Sequence, residues 1–293
     1  MEVRLAEPSG FCFGVNRAVD TVYDKLNTDK IIYTYGPIVH NDSVVNELSD
    51  RGVKVLEDEK ALRALDPDEI RKTTGKEAAV IIRAHGIPQR LYELLHEKNI
   101  ECIDATCPFV KKIHRVVQEE SEKGRHIVIV GNPKHPEVEG IVGWCNGFVT
   151  VIESAEEAET ADIPKEHKIC IVSQTTFNLD KFKHIVEIFR QRGYNDNVVN
   201  TICNATKERQ DAAKALATEA DAMIVIGGRH SSNSKKLFDI CAEVCTNTYF
   251  IRTLDDLEVN EEFRKARLVG ITAGASTPNK LIEEVQNYVR INF

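Results

Sequence analysis

With 293 residues, 42% of them apolar and 29% charged, the chain has the balance of a globular protein with room for two or three compact units, which excludes disorder and collagen-like repeats. Its formal net charge of −8 argues against a general nucleic-acid surface, so an anionic ligand must be held by a locally arranged pocket. The opening stretch MEVRLAEPSG has no apolar core and no run approaches the roughly 20 residues of a membrane span, so a cytoplasmic protein with no membrane segment is expected.

The first third begins with Cys12, after which Val15, Ala18, Val19, Val22 and Leu26 recur at helical spacing. A strand, IIYTYG, follows and ends at Gly36, with His40 in the loop beyond it. Then come a short strand in VKVLE, an acidic helical segment, a second apolar strand in AAVIIRA, and the loop AHGIPQR, which presents His85. The second third repeats this order. Cys107 opens a helix through Val110, Ile113 and Val117; HIVIVG ends at Gly131; and the loop GNPKHPEVEG places His135 and Glu137 two residues apart. FVTVIE and KICIVSQ supply its later strands, and QTTFNLD presents Thr175 and Thr176. In the last third Cys203 precedes Ala205, Ala212, Ala213, Leu216 and Ala220, AMIVIG ends at Gly227, and RHSSNSKK carries Ser231, Ser232 and Asn233. TYFIRT and RLVGITA complete it, with Ser276 in GASTPNK.

The three cysteines stand 95 and 96 residues apart, and each is followed 24 residues later by its glycine and 28 residues later by His40, His135 or Ser231. Such a period is the signature of a repeated unit. The expectation is an α/β chain of three related lobes, 1–98, 99–196 and 197–293, each with a largely parallel sheet whose carboxyl-end loops carry the site. A single long doubly wound sheet or a barrel would also alternate strands and helices. The periodic cysteines favour three lobes about a pseudo-threefold axis, since three thiols in register serve little purpose unless they meet.

Eight cysteines without a signal peptide point to thiols, metal ligands or catalysts in place of structural disulfides. Cys241 and Cys245, four apart in FDICAEVC, read as core, as do Cys102, Cys145 and Cys170. Cys12, Cys107 and Cys203 remain, each at the start of a helix whose dipole stabilises a thiolate by about 0.3–1 kcal/mol. Structural zinc prefers four ligands with close pairs, which widely separated cysteines fit poorly. An iron-sulfur cube usually takes four cysteines, so three would leave one iron open to substrate. The cluster is the favoured reading, with zinc and unliganded core thiols as the alternatives.

His40, His85, His135, Ser231, Ser232, Asn233 and Ser276 are all hydrogen-bond donors in some protonation state, a set suited to a phosphate or diphosphate. Glu137 reads as a proton source or, more plainly, as a helix N-terminal stabiliser. Thr175 and Thr176 read as a proton relay, a contact to a substrate hydroxyl, or a local cap. His96, His114, His126, His167 and His184 read as solvated or structural. No GxGxxG follows a strand and no GxxxxGK[ST] occurs, which removes nicotinamide and P-loop readings.

FCFGVNRAV, VHN, AHG, DATCP, HPEVEG, SQTT, TICNAT, SSNS and TAGAS, in this order, make the whole chain resemble the 4-hydroxy-3-methylbut-2-enyl diphosphate reductase family. The resemblance implies a cloverleaf of three α/β lobes around a central 4Fe-4S cluster held by Cys12, Cys107 and Cys203 with one open iron. It implies a diphosphate held by His40, His85, His135, Ser231, Ser232, Asn233 and Ser276, and protons delivered by Glu137 with Thr175 close by. The implied reaction is the last step of the non-mevalonate isoprenoid pathway: a two-electron, two-proton removal of the allylic hydroxyl giving isopentenyl and dimethylallyl diphosphate, with a ferredoxin or flavodoxin as electron donor. One lobe is expected to move on binding. Two rival readings are a quinolinate synthase-like dehydratase with an open iron and a non-enzymatic metal sensor built on the three thiols.

Overall fold

The computed structural model describes residues 1–194 and 196–293. In chain order its strands are β1 (Glu2–Leu5), β2 (Lys30–Tyr35), β3 (Lys54–Leu56), β4 (Glu77–Ile82), β5 (Glu101–Asp104), β6 (His126–Val130), β7 (Val149–Ile152), β8 (Ile169–Ser173), β9 (Asp196–Val198), β10 (Ala222–Ile226), β11 (Thr248–Ile251) and β12 (Leu268–Ala273). They form three four-stranded sheets, ordered β1-β12-β10-β11, β3-β2-β4-β5 and β7-β6-β8-β9, and the pairings are parallel. The protein is thus an α/β chain of three parallel-sheet lobes.

Each sheet recruits an edge strand from beyond the stretch that its repeat spans. β5, at residues 101–104, pairs with β4; β9, at 196–198, pairs with β8; and β1, from the start of the chain, pairs with β12. Sequence period marks where a pattern restarts, whereas strand pairing follows the shortest parallel crossover, so the sheets are offset from the repeat by one strand. The central strands β6, β8 and β10 are buried along their whole length, which is why they read as unbroken apolar runs.

By compactness the chain divides into two units: residues 1–15, 40–44 and 203–293 in one, and 16–39 and 45–202 in the other. In the first unit, one face of the sheet packs Ile224, Ile226, Val269 and Ile271 on Phe263 and Val285, and the other packs Met223 and Val225 on Ala213, Leu237 and Cys241. The second unit holds the other two sheets. Around β4, Val80 and Ile82 pack on Leu62, Leu91 and Leu95; around β6 and β8, Val128 and Ile171 pack on Phe182 and Phe189, while Ile127, Ile129 and Val172 pack on Ile113, Val117 and Val138. Each such aliphatic side chain contributes about 1.5–3 kcal/mol when fully buried.

Inside the second unit the loop after β4 is keyed to the elements around β6. Trp144 Nε1 donates to Ile87 O at 2.9 Å and stacks on His114 with ring centroids 5.1 Å apart. Gly86, at φ +71°, leaves room for that imidazole, since a Cβ there would lie 2.6 Å from His114 Cε1. Burial holds His114 neutral, lowering its pKa to about 4, so it is a structural residue.

Candidate active site at the strand ends

In the second unit the carboxyl ends of β4, β6 and β8 carry the residues singled out above. His135 caps the helix Pro136–Val142: its Nδ1 accepts from Glu137 N at 3.1 Å. A neutral imidazole that accepts at Nδ1 carries its proton on Nε2, which makes His135 a donor on its far side. The His85 ring meets it edge-on, with centroids 5.3 Å apart. Glu137 is 1% exposed, and both carboxyl oxygens face the turn after β8: Thr175 N donates to Oε1 at 2.6 Å and Thr175 Oγ1 to Oε2 at 2.8 Å. Burial drives the Glu137 pKa up to about 7, against the opposing pull of the two Thr175 bonds. A carboxyl poised near neutrality can hold and release a proton at working pH. The more modest role expected of Glu137, stabilising a helix N-terminus, is also met, since it sits in the first turn. Thr176 takes a bond from Gln174 Nε2 at 3.1 Å, Gln174 Oε1 accepts from Asn132 N, and Thr175 bonds Glu137.

Cys107 begins the helix Pro108–Glu122 as its N-cap, with no side-chain cap bond of its own. Its N–H donates to Ala84 O at 2.9 Å, which ties this cysteine to the loop that carries His85. Arg17 Nη1 steadies the same turn by donating to Thr106 O at 2.9 Å.

The first unit gathers the other half of the set. Ser231 caps the helix Ser232–Val244 by accepting from Ser234 N at 3.3 Å, and Ser234 Oγ donates back to it at 2.9 Å. Asn233 is 4% exposed, yet neither its amide oxygen nor its amide nitrogen has a hydrogen-bond partner among the described residues. A buried amide left so costs about 1–3 kcal/mol. Ser276 Oγ donates to His40 O at 3.3 Å, and a Cβ on Gly228 would lie 2.1 Å from that same carbonyl, so the loops after β10 and β12 and the segment 40–44 close on one place. Cys12 N donates to Ala275 O at 3.2 Å, one residue from Ser276. Cys203 caps the helix Asn204–Glu219 with no side-chain cap bond, and its Sγ lies 2.9 Å from Thr206 Oγ1.

The cysteines sort by environment. Cys12, Cys107 and Cys203 are half-buried at helix starts, whereas Cys170, Cys241 and Cys245 are buried, and burial pushes the Cys145, Cys170 and Cys241 thiols up to about 12. Sulfur at a helix N-terminus, where the dipole favours a thiolate, is the soft donor that iron-sulfur ligation uses. Cys102, expected in the core, is exposed, because β5 is an edge strand.

Two arginines escaped the sequence reading. Arg209 and Arg83 are 3% and 8% exposed. The helix after Cys203 buries Thr206, Arg209 and Gln210 in its first half and Ala213, Leu216 and Ala217 in its second, so the apolar phase read from Ala205, Ala212 and Ala220 holds only from Ala213 on. The available signal was a charged residue two turns into an amphipathic helix on its inward stripe.

A family model described as LytB protein matches residues 3–290. The chain is 46% identical over 287 residues to the 4-hydroxy-3-methylbut-2-enyl diphosphate reductase of Caldanaerobacter subterraneus subsp. tengcongensis, covering 97% of this chain and 95% of that protein. Among solved structures, the E-1-hydroxy-2-methyl-but-2-enyl-4-diphosphate reductase from Plasmodium falciparum is similar at TM-score 0.88 and 30% identity, covering 99% of this chain and 87% of that one. A second, (E)-4-hydroxy-3-methyl-but-2-enyl diphosphate reductase, the terminal enzyme of the non-mevalonate pathway, is similar at TM-score 0.68 and 40% identity over 99% and 100% of the two chains. Matched by that family model over nearly its whole length and 46% identical to a relative of that activity, the chain belongs to the LytB family of 4-hydroxy-3-methylbut-2-enyl diphosphate reductases.

Proposed function

We propose that this chain reduces 4-hydroxy-3-methylbut-2-enyl diphosphate at its allylic carbon, taking up two electrons and two protons and releasing water with isopentenyl or dimethylallyl diphosphate. The observation that carries the reading is the buried Glu137 carboxyl, with a pKa near 7 and both oxygens held by Thr175, in a member of this family.

Cys12, Cys107 and Cys203 would hold a 4Fe-4S cluster and leave one iron without a protein thiolate. When bound, that cluster would relay, one at a time, the two electrons that an external donor provides. The work of the polypeptide is binding, orientation and proton delivery. His40, His85, His135, Ser231, Ser232, Asn233 and Ser276 would hold the diphosphate, the neutral hydroxyl and amide groups at the start of the helix Ser232–Val244 adding to its dipole. Anchoring the substrate at its inert end positions the reacting end at no further entropic cost. Glu137 would give its proton to the leaving hydroxyl, so that water departs in place of hydroxide, and Thr175 would orient the carboxyl and contact the substrate hydroxyl. The second proton ends on carbon, and which carbon takes it sets the product.

The expected donor is a ferredoxin or flavodoxin, the expected site of action is the cytoplasm, and the sequence repeats run 1–98, 99–196 and 197–293, with each sheet offset from its repeat by one strand. Among the described residues no helix is long and apolar enough to cross a membrane. The test is anaerobic turnover of the diphosphate with a reduced viologen dye, on protein assayed for iron and sulfide. Substrate-dependent dye oxidation is expected; an intact cluster with no turnover would refute the reductase reading.

A further inference from the structure

Arg209 lies six residues after Cys203 on the helix that Cys203 caps, and its side chain is almost wholly buried. One guanidinium nitrogen, Nη1, donates to Pro8 O at 3.2 Å and to Ala273 O at 3.5 Å. Pro8 stands four residues before Cys12, and Ala273 ends β12, two residues before the carbonyl that receives Cys12 N. The side chain therefore ties the helix of Cys203 to both segments that fix Cys12. Among the described residues its Nε has no hydrogen-bond partner and no carboxylate pairs with it.

A buried cation costs several kcal/mol unless negative charge offsets it. Two carbonyl dipoles are a poor offset. Burial lowers the Arg209 pKa, and the groups that oppose this are the thiols of Cys12 first and Cys203 second, ahead of the adjacent Glu208. The guanidinium is thus placed where its missing counter-charge would be sulfur.

We propose that Arg209 is a positioning residue that sets the reduction potential of the cluster: a fixed buried cation, locked between the Cys12 loop and the Cys203 helix, that makes electron uptake easier. The proposal rests on Cys12 and Cys203 being cluster ligands. Each electron added makes a thiolate-bound cluster more negative, so a nearby cation stabilises the reduced state more than the oxidised one, and cluster potentials respond to local charge, hydrogen bonding and burial. No proton need move, because guanidinium keeps its charge throughout the working range.

The experiment compares wild type with Arg209→Gln, Arg209→Met and Arg209→Lys. Each is reconstituted anaerobically, assayed for iron and sulfide, and titrated potentiometrically while the reduced cluster is followed by electron paramagnetic resonance. The neutral variants are expected to bind iron as wild type does but to have a more negative midpoint, by at least a tenfold fall in the reduction equilibrium, about 59 mV for a one-electron couple. Lys should restore most of that shift. Unchanged midpoints in the neutral variants overturn the proposal. So does loss of the cluster from both of them with normal circular dichroism of the cluster-free protein, which would make Arg209 a structural clamp only. If wild type itself holds no cluster, the ligand assignment fails first, and the iron assay reports that before any variant is compared.

Discussion

The loops after β6 and β10 occupy the same place in their repeats, and they make opposite use of it. His135 and Ser231 both cap the helix that follows, one through Nδ1 and the other through Oγ. Two residues on, Glu137 and Asn233 are both buried, at 1% and 4% exposure. Glu137 is satisfied from within, each oxygen taking a bond from Thr175; Asn233 finds no partner for either end of its amide among the described residues. The scaffold thus offers a buried position in the first turn of a helix, and the side chain placed there decides its use. On the proposed function, the carboxyl with internal donors would store a proton, and the neutral amide kept open would meet the diphosphate.

The sharpest way to break this contrast is Glu137→Gln. The amide retains shape and can still bond Thr175, but it has no proton to give. Turnover should fall by roughly 10²–10⁴-fold, with iron content unchanged and KM altered little. Activity near wild type would leave Glu137 no role in proton delivery and would make the two loops alike.

The same substitution has a thermodynamic signature. The folded chain holds the Glu137 proton up to about pH 7, and an unfolded glutamate releases it near 4.5. The native state therefore binds more protons between these values, so the Glu137 contribution turns progressively unfavourable as pH rises from 4.5 to 7 and stays so above. His114 acts in the reverse sense: with its native pKa lowered from 6.5 to about 4, its contribution is present above 6.5 and is lost as pH falls toward 4. Subtracting the Glu137→Gln curve from wild type cancels His114. The difference in unfolding free energy, from denaturant titrations at a series of pH values, should move against wild type by about 3 kcal/mol across that window. A flat difference would mean that the carboxyl is solvated.

Much of this was legible beforehand, and for a physical reason. Parallel strands buried on both faces must be apolar, and their loops must turn at glycine, so the period of Cys12, Cys107 and Cys203 with Gly36, Gly131 and Gly227 reported three sheets directly. His40, His135 and Ser231, at a fixed offset from those landmarks, were legible too, while the nearness of Thr175 to Glu137, which its two bonds show, came only with the family resemblance. Edge pairing was not, since β1, β5 and β9 are each only three or four residues long and carry no periodicity of their own. Nor were Arg83 and Arg209. A charged side chain on a helix or after a strand reads as solvent-facing, and only packing shows that it points inward.

Asn233→Ala tests the open half of the comparison. Removing an amide that meets only the ligand should weaken diphosphate binding by about 1–2 kcal/mol, a five- to thirtyfold rise in KM, with a smaller effect on kcat. Because the unliganded protein leaves that amide unsatisfied, thermal stability should hold or rise. A destabilised variant with unchanged KM would place Asn233 in the structural framework.

The smallest effect is expected at Cys102, and it asks whether position or residue type assigns the chemistry. Cys102 and Cys107 lie five residues apart in ECIDATC, the first read from sequence as core and the second, by register, as a ligand. Cys102 is exposed on the edge strand β5, while Cys107 caps a helix and its N–H is held by Ala84 O in the loop of His85. Ser at 102 exchanges one small polar group for another at a solvent-facing site, where substitutions usually stay within about 0.5 kcal/mol. Cys102→Ser should therefore keep its iron, its turnover and its melting temperature, all measured on one anaerobic preparation. Loss of iron there would mean that the strand, and not the helix start, presents the ligand, and the register that links Cys107 to Cys12 and Cys203 would lose its chemical meaning.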